Sequence, residues 1–118
     1  MLIRWSIVET LAQQGHTVVE ADTARNAVRA MGESRLPIDV ILLDYRLPDS
    51  SDLGLLSDMR RMHPESSIVM MTAFATPEMR TEALARGAYQ VMAKPFDMHT
   101  LESLVLEANR ARPQPVSP

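Results

Sequence analysis

The sequence contains no cysteine. This excludes a disulfide framework and any zinc–thiolate centre, and mildly favours a reducing compartment. Aromatic residues are scarce. Two Phe, two Tyr and one Trp in 118 residues leave no platform on which nucleic-acid bases could stack. Basic residues do not predominate. Twelve Lys and Arg stand against fifteen Asp and Glu, a formal charge of −3, and no basic stripe favours direct nucleic-acid binding. No stretch reaches the roughly 18 apolar residues of a membrane span. The start, Met1-Leu2-Ile3-Arg4-Trp5-Ser6, lacks the cationic head and long apolar core of a secretory leader. A soluble cytoplasmic protein with no membrane association is the simplest expectation. The glycines lie apart at 15, 32, 54 and 87, so no glycine-rich phosphate loop is available. No Ser/His/Asp hydrolase arrangement is evident either.

With 46% apolar and 23% charged residues, the chain can bury a core, and its length suits one domain. Two hydrophobic periods alternate along it. Residues 2–14 read as a helix with Ile3, Ile7 and Leu11 on one face, closed by Gly15. Thr17-Val18-Val19-Glu20 is a short β-branched run of strand character. Residues 24–33 suit a helix with Ala24, Ala27, Val28 and Met31 inward and Asp22 or Thr23 as N-cap. Ile38-Asp39-Val40-Ile41-Leu42-Leu43 is apolar enough for burial on both faces, as in a parallel sheet.

The alternation repeats. Residues 53–62 place Leu55, Leu56, Met59 and Met62 on one helical face, with Asp52 as a candidate N-cap. Ser67 to Met71 is a second buried strand. Pro77 and Gly87 bracket a helix near 77–86. Ala88 to Met92 is a further strand, and residues 98–110 a last helix with Leu101, Leu104, Val105 and Ala108 inward. Residues 1–110 therefore form the domain, and 111–118 a proline-rich tail or linker remnant. The pattern predicts an α/β doubly wound parallel sheet of about four strands and five helices.

Functional groups of such a sheet gather at the carboxyl ends of its strands. Asp44, Thr72 and Lys94 each follow a predicted strand. They would bring a carboxylate, a hydroxyl and an ammonium to one rim. A carboxylate can attack phosphorus and form an acyl phosphate, while the other two groups offset charge on the transferred oxygens. His16, His63 and His99 fall at turns or helix starts without ligand spacing. Asp49 and Asp52 read as loop and cap residues. The nine methionines read mostly as core packing. Trp5 lies off the apolar stripe of its helix and would either anchor an interface or cover exposed core.

Asp44-Tyr45-Arg46-Leu47-Pro48, Met71-Thr72-Ala73 and Ala93-Lys94-Pro95-Phe96 resemble the motifs of bacterial response-regulator receiver domains. The likeness runs from the first helix to about residue 108 and is greatest to the nitrogen-regulation type, which precedes ATPase activators of transcription. It implies a flavodoxin-like (CheY-like) fold and phosphorelay signal transduction, a signalling module and not an enzyme. Asp44 would accept a phosphoryl group from a sensor histidine kinase or a phosphotransfer protein. Thr72 would turn toward the phosphate, and Lys94 would bind it. The Lys94–Pro95 bond would be cis. Mg²⁺ would be held by the Asp44 carboxylate and the Arg46 backbone carbonyl. Residues 77–110 would form the output face, with homodimerisation as one use.

The chain also departs from that pattern. It begins at or inside the first helix, so the family's first strand, central in its sheet order, and the acidic pair ending that strand have no counterpart. The metal set is then incomplete, and weak Mg²⁺ binding with slow or no acceptance of phosphate is expected. The gap could be repaired by an inward shift of residues 17–20, by a second chain, or by loose order in 1–36. Val91 stands where the family places an aromatic switch residue, with Tyr89 nearby, and Asp52 where it places a loop glycine. Three readings stay open: a phosphorylated switch, a degenerate receiver acting only as an interaction or dimerisation module, and a sequence whose start lies too late.

Overall fold

The computed structural model describes residues 2–33, 38–46, 48–49 and 53–113. Helices α1 (Leu2–Gln13) and α2 (Ala24–Glu33) precede strand β1 (Val40–Asp44). Then α3 (Gly54–Met62), β2 (Ser67–Thr72), α4 (Pro77–Ala85), β3 (Gln90–Ala93) and α5 (Met98–Arg110) alternate strictly. The three strands are parallel in the order β1-β2-β3. None of the described helices is long and apolar enough to cross a membrane.

The period-two geometry of a strand sorts its side chains to opposite faces, and both faces here are covered. Ile41 and Leu43 of β1, Ile68 and Met70 of β2 and Val91 of β3 join Leu55, Leu56 and Met59 of α3 and Ala83 of α4 in one core layer. Ala24, Ala27 and Met31 of α2 complete that side. Val69, Met71 and Met92 face the other way, against Ile7 and Leu11 of α1 and Leu101, Leu104, Val105 and Ala108 of α5. Two-sided burial explains why β2 reads as an unbroken apolar run and why all six of its residues are buried. Its polar starting residue is satisfied, since Ser67 Oγ donates to the Ala108 carbonyl at 2.6 Å.

Several boundary signals act as their chemistry dictates. Gly15 follows α1 at φ +89° and Gly87 follows α4 at φ +110°, both closing helices in backbone that side chains disfavour. Thr23 caps α2 by accepting from Asn26 N–H at 3.0 Å. Thr76 accepts from Met79 N–H ahead of Pro77, and Asp97 from Thr100 N–H ahead of α5. The Lys94–Pro95 bond is cis, as the motif implies.

Other expectations need correction. Thr17–Glu20 is not a strand, so among the described residues the sheet has three strands and not four. β-Branched residues favour extended backbone, but a strand exists only where a neighbour's edge takes its N–H and C=O groups. Val18 packs against the α1/α5 layer, whereas Val19 is 60% exposed, so this run lacks the two-sided burial of the others. Val28 and Met62, expected inward, are each 37% exposed, since both lie at the rim of their helix's apolar arc. The N-cap position of α3 is Leu53, with no side-chain cap bond. Asp52 lies outside the described residues, as do the Trp5 side chain and residues 114–118. The strand predicted over 88–92 begins only at Gln90.

The register also shows which way β1 is open. Ser67 N–H donates to the Asp39 carbonyl and Tyr45 N–H to that of Met71. Odd-numbered residues of β1 therefore face β2. The backbone groups of Val40, Leu42 and Asp44 point to the other edge, where no backbone partner is found among the described residues.

Candidate functional site

Each of the three strands ends on the same side of the sheet, because parallel strands in register terminate together. Asp44 pairs with Met71 in register, and Thr72 with Ala93. Backbone bonds Tyr45 N–H to Met71 O (2.9 Å) and Lys94 N–H to Thr72 O (2.8 Å) carry the pairing to the first residues past the strands. That pairing brings two groups 50 positions apart in sequence into contact. Lys94 Nζ lies 2.8 Å from Asp44 Oδ2. The ion pair crosses the end of β2, joining the two outer strands over the middle one. Its side chains are 22% and 35% exposed, so solvent reaches the carboxylate while part of its hydration is lost.

Thr72 sits at the end of the strand beneath this bridge. It is 3% exposed, and its Oγ accepts from Phe74 N–H at 3.2 Å. The second Asp44 oxygen faces Arg46 N–H at 3.4 Å. Asp44, Lys94 and the Arg46 backbone N–H thus meet at one mouth, and Thr72 ends the strand between them. The mouth holds a nucleophilic carboxylate, a cation beside it and a hydroxyl at the adjacent strand end. That set suits transfer of an anionic electrophile to oxygen.

A divalent metal does not fit the groups described. Mg²⁺ demands near-octahedral oxygen ligation and usually one or two carboxylates. Asp44 commits one oxygen to an ammonium, and among the described residues no group of three or more His, Cys, Asp and Glu could hold a metal. Asp49, the next acid along the loop, is turned elsewhere. Its two oxygens accept from Ala24 N–H (2.7 Å) and Arg25 N–H (3.0 Å), so it caps α2 from another loop.

Those two backbone bonds, with Arg25's charge, hold the Asp49 carboxyl below its ordinary value. A depressed carboxyl contributes stability above the unfolded-state value and loses it as pH falls through the folded-state one. Asp49→Ala is therefore expected to lower the melting temperature at pH 7. The gap to the parent should close on acidification below about pH 4. A gap independent of pH in a thermal melt series would contradict the tether.

Sequence reasoning missed three features here. Phe74 is 68% exposed at the rim, with the Arg46 guanidinium 5.5 Å from its ring centre. A signal existed, since both residues stand two positions beyond a strand-end group. Asp49 is a cap, as its residue type suggests, but no local pattern names α2 as the helix it serves. Arg80 Nη1 donates to the Val91 carbonyl at 2.9 Å, tying α4 to β3 beside the small residue at the expected aromatic position.

A family model described as "Response regulator receiver domain" matches residues 1–106. The chain is 35% identical over 99 residues, 83% of its length, to the response regulator protein PilR of Pseudomonas aeruginosa. It is 32% identical over 106 residues, 90% of its length, to the DNA-binding transcriptional regulator NtrC of Escherichia coli. In both cases it spans only 22% of the relative. Among solved structures, the receiver domain of NtrX from Brucella abortus superposes with a TM-score of 0.81 at 29% identity, covering 92% of this chain and 90% of that one. The beryllofluoride-activated NtrC4 receiver domain dimer gives 0.83 at 25% identity, covering 92% and 88%.

Proposed function

The chain belongs to the response-regulator receiver-domain family of two-component signalling, and on that premise we propose that it is a phosphoryl-accepting switch with Asp44 as the acceptor. The observation that carries this reading is the 2.8 Å approach of Lys94 Nζ to Asp44 Oδ2 at the strand ends. In the resting state the ammonium neutralises the carboxylate. On transfer, Asp44 attacks phosphorus, and Lys94 shifts its charge to the oxygens of the incoming group. Thr72, one strand across, exchanges its bond to Phe74 N–H for one to the phosphoryl group and moves the β2–α4 loop with it. A histidine kinase or phosphotransfer protein supplies the phosphoryl group, and the chain acts in the cytoplasm as a switch and not as a turnover enzyme.

The altered surface is the α4–β3–α5 face. Leu84, Tyr89 and Leu106 are exposed there, beside a groove lined by Arg80, Val91, Phe96, His99, Thr100 and Glu107. Partner binding or homodimerisation on this face is the output. Any action on transcription belongs to segments or partners beyond the domain. Receiver domains as a family bind Mg²⁺ at an acidic pocket. Here Asp44 and the Arg46 carbonyl are the candidates, and among the described residues they are joined by no complete metal set.

Incubation with a small acyl phosphate, followed by intact-mass analysis, tests the reading. One phosphoryl group should appear on the chain and none on Asp44→Asn. Mg²⁺ and EDTA should give rates within about threefold, because a single carboxylate paired to an ammonium binds the dication poorly. No labelling of the parent chain, or equal labelling of Asp44→Asn, overturns the acceptor assignment and leaves an interaction module that works unphosphorylated.

A further inference from the structure

A series of hydrogen bonds leads from the strand-end site to the α4–β3–α5 face. Thr72 Oγ accepts from Phe74 N–H at 3.2 Å. The Phe74 carbonyl accepts from Thr76 N–H at 3.1 Å, and the Thr76 carbonyl from Arg80 N–H at 3.0 Å. Arg80 Nη1 then donates to the Val91 carbonyl at 2.9 Å. The series crosses the loop after β2, enters α4 through its first turn and ends on β3. α4 is lightly packed for a helix in that position. It buries Ala83, where α3 buries Leu55, Leu56 and Met59 and α5 buries Leu101, Leu104, Val105 and Ala108. An element with few buried apolar contacts opens at low cost. The half-buried Arg80 supplements that thin contact with a charge-assisted bond, stronger than a neutral one.

Val91 carries no ring that could follow a movement of Thr72. Its side chain is 3% exposed, packed in the layer of α3 and α4. A rearrangement at Thr72 therefore reaches β3 through α4 and the Arg80 side chain. We propose that Arg80 is a positioning residue that latches α4 onto β3 at rest and is released when Asp44 takes a phosphoryl group. The proposal rests on the Asp44 reading. When Thr72 Oγ turns to the phosphoryl group, Phe74 N–H loses its acceptor, and the loop draws the first turn of α4 away from β3. The Nη1 bond to the Val91 carbonyl is then lost. Arg80 forms one wall of the cleft that Phe96, His99 and Glu107 also line, so its release changes the surface a partner meets. Arg80 makes and breaks only hydrogen bonds, and it touches neither the donor nor Asp44.

Amide hydrogen exchange of the full chain over α4, with and without an acyl phosphate, tests this, and intact mass gives the phosphorylated fraction. In the parent, phosphorylation should speed exchange in α4 about tenfold, the scale of losing one hydrogen bond to a charged group. Arg80→Met should exchange that fast before phosphorylation and change little on it, while still being labelled on Asp44. Arg80→Gln, also neutral, should behave as Arg80→Met does, so the result does not hang on one replacement. Arg80→Lys keeps the charge without the planar fork and should restore part of the phosphorylation-dependent difference. An undiminished difference in Arg80→Met or Arg80→Gln overturns the proposal, whatever their basal exchange, and makes Arg80 a plain brace. So does a parent that is phosphorylated on Asp44 with no change over α4. If the parent is not labelled on Asp44, the acceptor reading fails and takes this proposal with it.

Discussion

Lys94→Met is expected to slow acyl-phosphate labelling of Asp44 about 100-fold, the usual scale for removing one preorganised charge donor from an oxyanion site. The geometry explains the size. Nζ stands 2.8 Å from Asp44 Oδ2 in a setting where neither side chain is more than 35% exposed, so bulk water only partly replaces it. Methionine keeps the reach of the lysine stem and removes only the charge. Approach of an anionic donor to a bare carboxylate then becomes repulsive, and the transition state loses the cation nearest its developing charge. Stability should change by no more than about 1 kcal/mol, because both partners retain solvent contact. Lys94→Met with parent-like labelling, or with a collapsed thermal transition, would contradict this role. Lys94→Arg should fall between the two, its charge retained but its planar head misplaced.

Gly87→Ala is the largest stability effect to expect, about 2–4 kcal/mol in a urea titration, combining backbone strain with overpacking. Two separate costs meet at this residue. Its φ of +110° is backbone that side chains rarely adopt, and a Cβ would lie 2.8 Å from both Cγ and Nε of Arg60. Arg60 cannot simply move aside. It donates to the Gly87 carbonyl from Nε (3.2 Å) and Nη2 (2.9 Å), and from Nη1 to Pro64 O (3.0 Å). Burial lowers its pKa from the ordinary arginine value without threatening its charge. One side chain thus ties the end of α3 to the turn between α4 and β3. Arg60→Ala should also destabilise, and in that background Gly87→Ala should cost less, leaving mainly the strain. A cost for Gly87→Ala within about 0.5 kcal/mol, the range of ordinary surface changes, would show that the turn relaxes freely.

Most of the architecture was legible locally. Four of the eight described elements, α1, α2, α4 and α5, are bounded by a residue whose chemistry ends or starts them: Gly15, Thr23, Pro77, Gly87, Asp97. Strands β1 and β3 each begin two residues later than the apolar runs that announce them, and at β3 the reason is that Ala88 is buried like a strand residue without being paired as one. The strand assigned to Thr17–Glu20 failed for a different reason. Its β-branched residues express a preference for extended backbone, and nothing in them reports whether a neighbouring edge is there to bond. Val28 and Met62 show the same limit on helices, where residues at the rim of an apolar arc are decided by what packs beside them.

The site divides along the same line. Which residues end the strands, and that one carries acid, one hydroxyl and one amine, follows from the order of amino acids alone, since a strand's end is written in a few adjacent positions. Proximity does not follow from it. Only parallel pairing of β1, β2 and β3 sets Lys94 on Asp44 across 50 positions, turns Asp49 toward α2, and lays Arg46 over Phe74. Such contacts join side chains from loops that share no local pattern, so their geometry is a property of the assembled sheet.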